Sequence, residues 1–209
     1  MKNYLCSALI LLAMVSCDNK KEAVKTSYKT PDMKLASDVM TPEVLWSFGR
    51  IGSVSVSPDQ KTLLYDVTYF NKEEDRSYSD IYVMNLADGK SQQLTDTDYK
   101  EFGETWTSDG KIAFMSSKSG SVQLWEMNAD GSGLTQLTNI EGGIGGFIFS
   151  PDKSKLLFLK DVKLEQDVHD LHPDLPKANA RLIDGQVYRH WNDWVEAYTH
   201  PFVADYIPG

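Results

Sequence analysis

The chain is poor in cysteine, has no cluster of basic residues and lacks any apolar run long enough to cross a bilayer. Its 209 residues include two cysteines, Cys6 and Cys17, both near the N-terminus. A disulfide framework is therefore excluded for the body of the protein, whose stability has to come from packing. The formal net charge is −9, and no Lys/Arg patch occurs beyond the N-terminal forty residues, so the electrostatic footprint of nucleic-acid binding is missing. The longest apolar stretch, Leu5 to Val15, spans eleven residues, whereas a transmembrane helix needs about 20. No Gly-x-Ser-x-Gly nucleophile elbow occurs. A Ser-His-Asp assembly cannot be built from what is present, so no catalytic residue is assigned and no cofactor is expected.

What is present begins with the leader. Lys2 ahead of the apolar Leu5–Val15 segment is the pattern of a signal peptide. Met14-Val15-Ser16-Cys17 resembles the lipobox of bacterial lipoproteins, which implies cleavage after residue 16 and lipidation of Cys17. Two or more acyl chains give stable anchoring where one does not. Removing residues 1–16 takes away only Lys2 and leaves a charge of −10. Residues 17–40 are polar and aperiodic and read as a flexible tether. The expected location is the cell envelope, on a membrane, after export.

The rest is dominated by a repeat. Asp80-Ile81-Tyr82-Val83-Met84-Asn85-Leu86-Ala87-Asp88-Gly89 is followed by Gln93-Leu94-Thr95, and Gln123-Leu124-Trp125-Glu126-Met127-Asn128-Ala129-Asp130-Gly131 by Gln136-Leu137-Thr138. Asp88 and Asp130 lie 42 residues apart, Leu94 and Leu137 43 apart. A period of about 40–45 with four strands per unit is the signature of a β-propeller. Ser57-Pro58-Asp59, Ser108-Asp109-Gly110 and Ser150-Pro151-Asp152 each punctuate two apolar runs. They read as Asx turns and not as metal ligands. The fold class is all-β: a β-propeller fragment of about three four-stranded blades, near 49–96, 102–139 and 145–209, with a partly helical insertion in the third. Residues 41–209 form an incomplete propeller, because closed propellers have about four to eight blades. Glu141-Gly142-Gly143-Ile144-Gly145-Gly146 opens onto a strand and reads as an inter-blade connection, not a phosphate loop.

The insertion, placed at 161–200 with the third strand of its blade expected at Phe202–Asp205, holds all four histidines, His169, His172, His190 and His200. His169 and His172 could share a helical face, but Pro173 stops that helix and no third ligand is fixed by spacing, so no metal site is assigned. Tyr188-Arg189-His190-Trp191-Asn192-Asp193-Trp194-Val195-Glu196 is the densest run of functional groups. Trp191, Trp194 and Tyr198 fall at i, i+3 and i+7, the spacing of one helix face. The candidate substrate-binding residues are Asp193, Glu196, His190, Trp191 and Trp194, with Asp193 or Glu196 facing a cavity and binding a cationic group. The alternative is that the rings merely pack the insertion onto its blade.

Leu45-Trp46-Ser47-Phe48-Gly49-Arg50, the stretch Ile140-Glu141-Gly142-Gly143-Ile144 through Phe147-Ile148-Phe149-Ser150-Pro151-Asp152, and then Pro173-Asp174-Leu175 with Tyr188-Arg189-His190-Trp191-Asn192-Asp193-Trp194 together resemble the bacterial dipeptidyl-peptidases of the prolyl oligopeptidase family, in particular its dipeptidyl-peptidase 5 branch. The resemblance covers about residues 40–209. It implies a serine exopeptidase in which a propeller restricts entry to a C-terminal α/β-hydrolase domain that carries the catalytic triad. That domain is missing here, so this chain alone should be inactive. The implied partners are peptide substrates, met through the missing domain, and a membrane, met through the lipid anchor. A free α-ammonium is most naturally bound by a carboxylate, the role foreseen for Asp193 or Glu196. The competing reading is a TolB-like binding or scaffold lipoprotein with no enzymatic activity.

Overall fold

The computed structural model describes residues 28, 29, 35, 37–183, 185 and 194–206. A short helix, α1 (Pro42–Ser47), opens the folded part, with Thr41 as its N-cap accepting from the Val44 amide. Three antiparallel sheets follow. The first contains β1 (Arg50–Val56), β2 (Thr62–Asn71), β3 (Arg76–Asn85) and β4 (Ser91–Gln93), hydrogen-bonded in chain order. The second contains β5 (Glu101–Trp106), β6 (Ile112–Ser116), β7 (Gln123–Met127) and β8 (Thr135–Gln136), again in chain order. The third contains β9 (Gly146–Phe149), β10 (Lys155–Lys163) and β11 (Ala197–Asp205), with β10 in the middle. Each sheet is a blade whose strands meander outward, and the chain is a β-propeller fragment.

One turn, used three times, sets the register of the first hairpin in each blade. Ser57 Oγ donates to Asp59 Oδ1 at 2.6 Å and accepts from the Thr62 amide at 2.9 Å. Ser150 repeats this with Asp152 at 2.6 Å and the Lys155 amide at 2.9 Å. In the second blade the hydroxyl is that of Thr107, 2.5 Å from Asp109 Oδ1. The structural repeat therefore runs Ser57, Thr107, Ser150, and Ser108, which the sequence pattern suggests, is a bystander one position along. All three turns place one residue in the left-handed region: Gln60 (φ 59), Gly110 (φ 77) and Lys153 (φ 56). Only the middle turn uses the residue that adopts this conformation without steric cost.

The blades stack through strand alternation. β6 and β7 are buried along their whole length. Successive side chains of a strand point to opposite faces, so these two strands feed two cores. Ile112 and Phe114 with Trp125 and Met127 meet Leu64, Ile81 and Val83 of the first blade. Ala113 and Met115 with Leu124 meet Leu156 of the third and Ile144 of the connection before it. Leu64, Ile81, Ile112, Phe114 and Leu124 are fully buried, each contributing about 1.5–3 kcal/mol of transfer free energy.

Two hairpins join the inner strands. Between the second and third strands of blade one the charged residues 71–79 form no separate excursion. β2 and β3 pair down to Asn71 and Arg76, leaving a turn of Lys72 to Asp75. In the third blade β10 and β11 pair from Lys155–Asp205 out to Lys163–Ala197. The third strand begins at Ala197, not Phe202, and the excursion occupies 164–196. Cross-strand ladder bonds and the stacked Phe158–Phe202 rings, 5.6 Å apart, extend a hairpin whose side chains show no clean alternation. Among the described residues no helix is long and apolar enough to cross a membrane.

Candidate functional site

The excursion between β10 and β11 starts with a helical turn, α2 (Val168–Leu171). Its N-cap Asp167 accepts from the amides of His169 and Asp170, and the Asp170 carboxylate accepts from the Asp167 amide, a capping box. α2 ends at Leu171, ahead of Pro173 as expected. Lys163 at the mouth of the excursion pairs with Asp167 at 2.7 Å and also with Asp170. The Lys163 ammonium holds the Asp167 carboxyl down to about 2. The neck is closed by the Leu164 amide donating to the Glu196 carbonyl at 3.2 Å.

A cleft of about 450 Å³ opens at this neck, lined among others by Leu164, Asp167, Arg181, Ile183, Trp194 and Glu196. Arg181 organises one wall. Its guanidinium lies 5.1 Å from the centre of the Trp194 ring and pairs with the Glu196 carboxylate. Glu196, foreseen as a cation binder, is thus on the cleft and already holds a cation of the protein's own. Trp194 lines the same cleft. His190, Trp191 and Asp193 lie outside the described residues. The expectation of a helix face shared by Trp191, Trp194 and Tyr198 fails at Tyr198, which sits in β11 opposite Val162, while Trp194 precedes that strand outside any helix. Ladder pairing with β10 claims Tyr198 for the strand.

The described histidines do not converge. His169 lies within α2 and His172 is its C-cap, His169 Nδ1 standing 3.7 Å from Asp167. His200 is in β11 with Nδ1 2.9 Å from the Tyr198 carbonyl. Among the described residues no three metal-ligating side chains gather. The glycine loop is a connection between blades two and three: Gly142 and Gly143 take φ of 81° and 83°, and the Ile144 amide donates to the Val122 carbonyl at 2.9 Å.

A second constellation was missed by sequence reading: acids buried between blades one and two. β1 and β5 each carry a bulge near their midpoint, at Gly52-Ser53 and at Gly103-Glu104. Asp66 fills the space that the missing side chain of Gly52 leaves, since a Cβ there would stand 2.4 Å from its oxygens. Asp66 Oδ1 accepts from the Ser53 amide at 2.7 Å and lies 3.1 Å from Ser53 Oγ; its Oδ2 lies 3.3 Å from Ser79 Oγ. Ser53 Oγ is also 2.8 Å from Glu104 Oε1. Glu104 and Glu101 are 4% and 1% exposed, and each has its Oε2 buried without a hydrogen-bond partner. Burial pushes the Glu104 carboxyl up to about 7, opposed by its own backbone amide and by Ser53 and reinforced by the charge of Asp66 and a hydrogen bond with it. Burial likewise pushes Glu101 up to about 7, with Asp80 adding and Thr95, Thr97 and Lys118 opposing. The available signal was an acid inside an otherwise apolar strand, as in Leu63-Leu64-Tyr65-Asp66-Val67, and an acid directly after a bulge glycine.

No protein-family model matches the chain. Dipeptidyl-peptidase 5 of Porphyromonas gingivalis is 44% identical over 171 residues, which are 81% of this chain and 25% of that protein. Dipeptidyl-peptidase 5 of Porphyromonas endodontalis is 35% identical over 198 residues, 94% of this chain and 29% of the relative. The chain thus spans about a quarter of the length of the curated relatives it matches. Among solved structures, the acylaminoacyl peptidase of Pyrococcus horikoshii superposes with a TM-score of 0.56 at 17% identity, over 78% of this chain and 24% of that one. At that identity the likeness shows the fold alone.

Proposed function

Because the chain is homologous to dipeptidyl-peptidase 5 over about a quarter of that protein's length, we propose that it is the non-catalytic propeller portion of a serine exopeptidase that releases dipeptides from peptide N-termini. The 44% identity over 171 residues carries this reading. In it, the hydrolase chemistry resides in a separate domain, and the propeller filters substrates and helps bind the free N-terminus. Glu196 is the described carboxylate best placed for the ammonium, on a cleft whose apolar wall, Leu164, Ile183 and Trp194, suits peptide side chains. Its pairing with Arg181 makes ammonium binding an exchange of cations. Asp193, His190 and Trp191 belong to the same proposed recognition segment. Export and anchoring through a lipid on Cys17 complete the reading.

The test is expression of the full-length protein and assay of dipeptidyl chromogenic substrates with a free or an acetylated N-terminus. Cleavage confined to the free amine supports the proposal, and E196Q then raises KM with kcat little changed. Absence of dipeptide release, or preference for the acetylated substrate, overturns it. Anchoring is tested separately by C17S, which should move the protein from the membrane to the soluble fraction.

A further inference from the structure

The acids between blades one and two leave a proton to be accounted for. Ser53 Oγ lies 2.8 Å from Glu104 Oε1 and 3.1 Å from Asp66 Oδ1. A serine hydroxyl has one hydrogen and so can donate to only one of these oxygens. With both carboxyls ionised, the other contact sets an oxygen lone pair against a carboxylate inside the protein, which is costly. One extra proton resolves the conflict: Glu104 Oε1–H donates to Ser53 Oγ, and Ser53 Oγ–H donates to Asp66 Oδ1. The proton belongs on Glu104 and not on Asp66, because Asp66 already accepts from the Ser53 amide and is in reach of Ser79 Oγ. Glu104 meets its own backbone amide and Ser53 Oγ and is in hydrogen-bond reach of Asp66, the one contact of the three that favours a proton, and its Oε2 is buried without a partner of its own.

We propose that the seam between the first two blades is clasped by a single proton on Glu104, relayed through Ser53 to Asp66, and that the seam loosens when this proton is lost. The clasp joins β5 of blade two to β1 and β2 of blade one, so its loss acts between blades and not within one. The charged groups around it are Asp66 from β2, Asp80 from β3, Glu101 from β5 itself and Lys118 from the β6–β7 turn. Lys118 is a cation near Glu101, whereas the charge that bears on Glu104 is that of Asp66. On ionisation Glu104 and Asp66 become two like charges, and repulsion replaces the relay.

Hydrogen exchange of the Ser53 amide, which donates to Asp66, reads the clasp directly. In the full-length wild type, exchange corrected for its intrinsic pH dependence should accelerate at least roughly fiftyfold between pH 5 and 8, the share expected for each proton released on opening. E104Q, whose amide can donate to Ser53 without titrating, should cut the wild-type acceleration roughly fiftyfold, while E101Q, which removes the other acid raised by burial, should retain the roughly fiftyfold share of Glu104. An undiminished acceleration in E104Q, or its loss in E101Q, overturns the proposal. Independently of any variant, carbon-13 titration of the wild-type Glu104 carboxyl should show a midpoint near 7; a midpoint below 5 overturns it as well.

Discussion

Replacing Lys153 by Met tests whether a single side chain fastens blade three to blade two. Lys153 extends from the turn before β10, where its backbone already sits in the left-handed region. Its Nζ lies 2.6 Å from Glu126 Oε2 and 2.8 Å and 3.0 Å from the two oxygens of Asp109. The Lys153 side chain is 10% exposed and that of Glu126 7%, so the pair is desolvated. Removing one partner of a buried pair costs about 3–5 kcal/mol. Here Lys111, 2.7 Å from Glu126 Oε1, still neutralises much of the stranded charge, which reduces the cost to about 2–3 kcal/mol. The cation's contacts with the Phe149 and Tyr206 rings add about 0.5 kcal/mol. Met retains most of the aliphatic stem and is no worse than Lys at a positive φ. The companion K111M removes a cation whose side chain is 44% exposed and leaves Lys153 in place, so it should cost under about 1 kcal/mol. Urea unfolding at constant slope reads both, and with a slope of about 2 kcal/mol per M the K153M midpoint falls by about 1.5 M. A K153M loss below about 0.5 kcal/mol, or a K111M loss equal to it, would refute the assignment of the blade joint to Lys153.

Two further outcomes follow from the packing and the charges. Phe114→Ala should destabilise by about 3–5 kcal/mol in thermal or urea unfolding, because the ring is fully buried where the cores of blades one and two merge. The bond from Lys153 holds the Asp109 carboxyl down to about 2. A depressed carboxyl gives stability that is present above its unfolded value of 3.8 and fades as pH falls toward 2. Stability should therefore decline between about pH 4 and 2, and K153M should flatten that decline in an acid titration followed by circular dichroism.

The parts of the fold that could be read from the sequence are those written in local chemistry. Asp88-Gly89 and Asp130-Gly131 mark the turns, Leu94-Thr95 and Leu137-Thr138 the outer strands, and the spacing between them is the blade. The hydroxyl-carboxylate turns were also legible, apart from a slip of one place at Thr107. There Ser108 imitates the Ser of its neighbours, but what the turn requires is a hydroxyl two residues before the aspartate, and Thr supplies it. The long hairpin of blade three was not legible. Asp161-Val162-Lys163 and Tyr198-Thr199-His200 lack alternation because both faces of that ribbon are largely exposed. Aromatic spacing then suggested a helix that ladder pairing forbids. At the cleft of the excursion, Glu196 and Trp194 were found by composition, while Arg181, which joins them, was invisible because it comes from a distant part of the excursion.

The buried seam shows why a repeat in sequence need not repeat in chemistry. β1 and β5 bulge at equivalent points, and the residue after the bulge glycine is Ser53 in one and Glu104 in the other. Opposite those bulges stand Asp66 in β2 and Phe114 in β6. Within either blade alone the pattern is unremarkable: a serine beside an aspartate, or a glutamate beside a phenylalanine. Only stacking brings Glu104 of the second blade onto Ser53 of the first, at 2.8 Å, and only then does one hydrogen face two carboxyl oxygens. A charged residue in an apolar strand is thus best interpreted against the blade before it. The bulge that turns a side chain out of its own sheet delivers it to the neighbouring one, and the price of burying an acid there is a raised affinity for a proton, which in turn makes the contact between blades depend on pH.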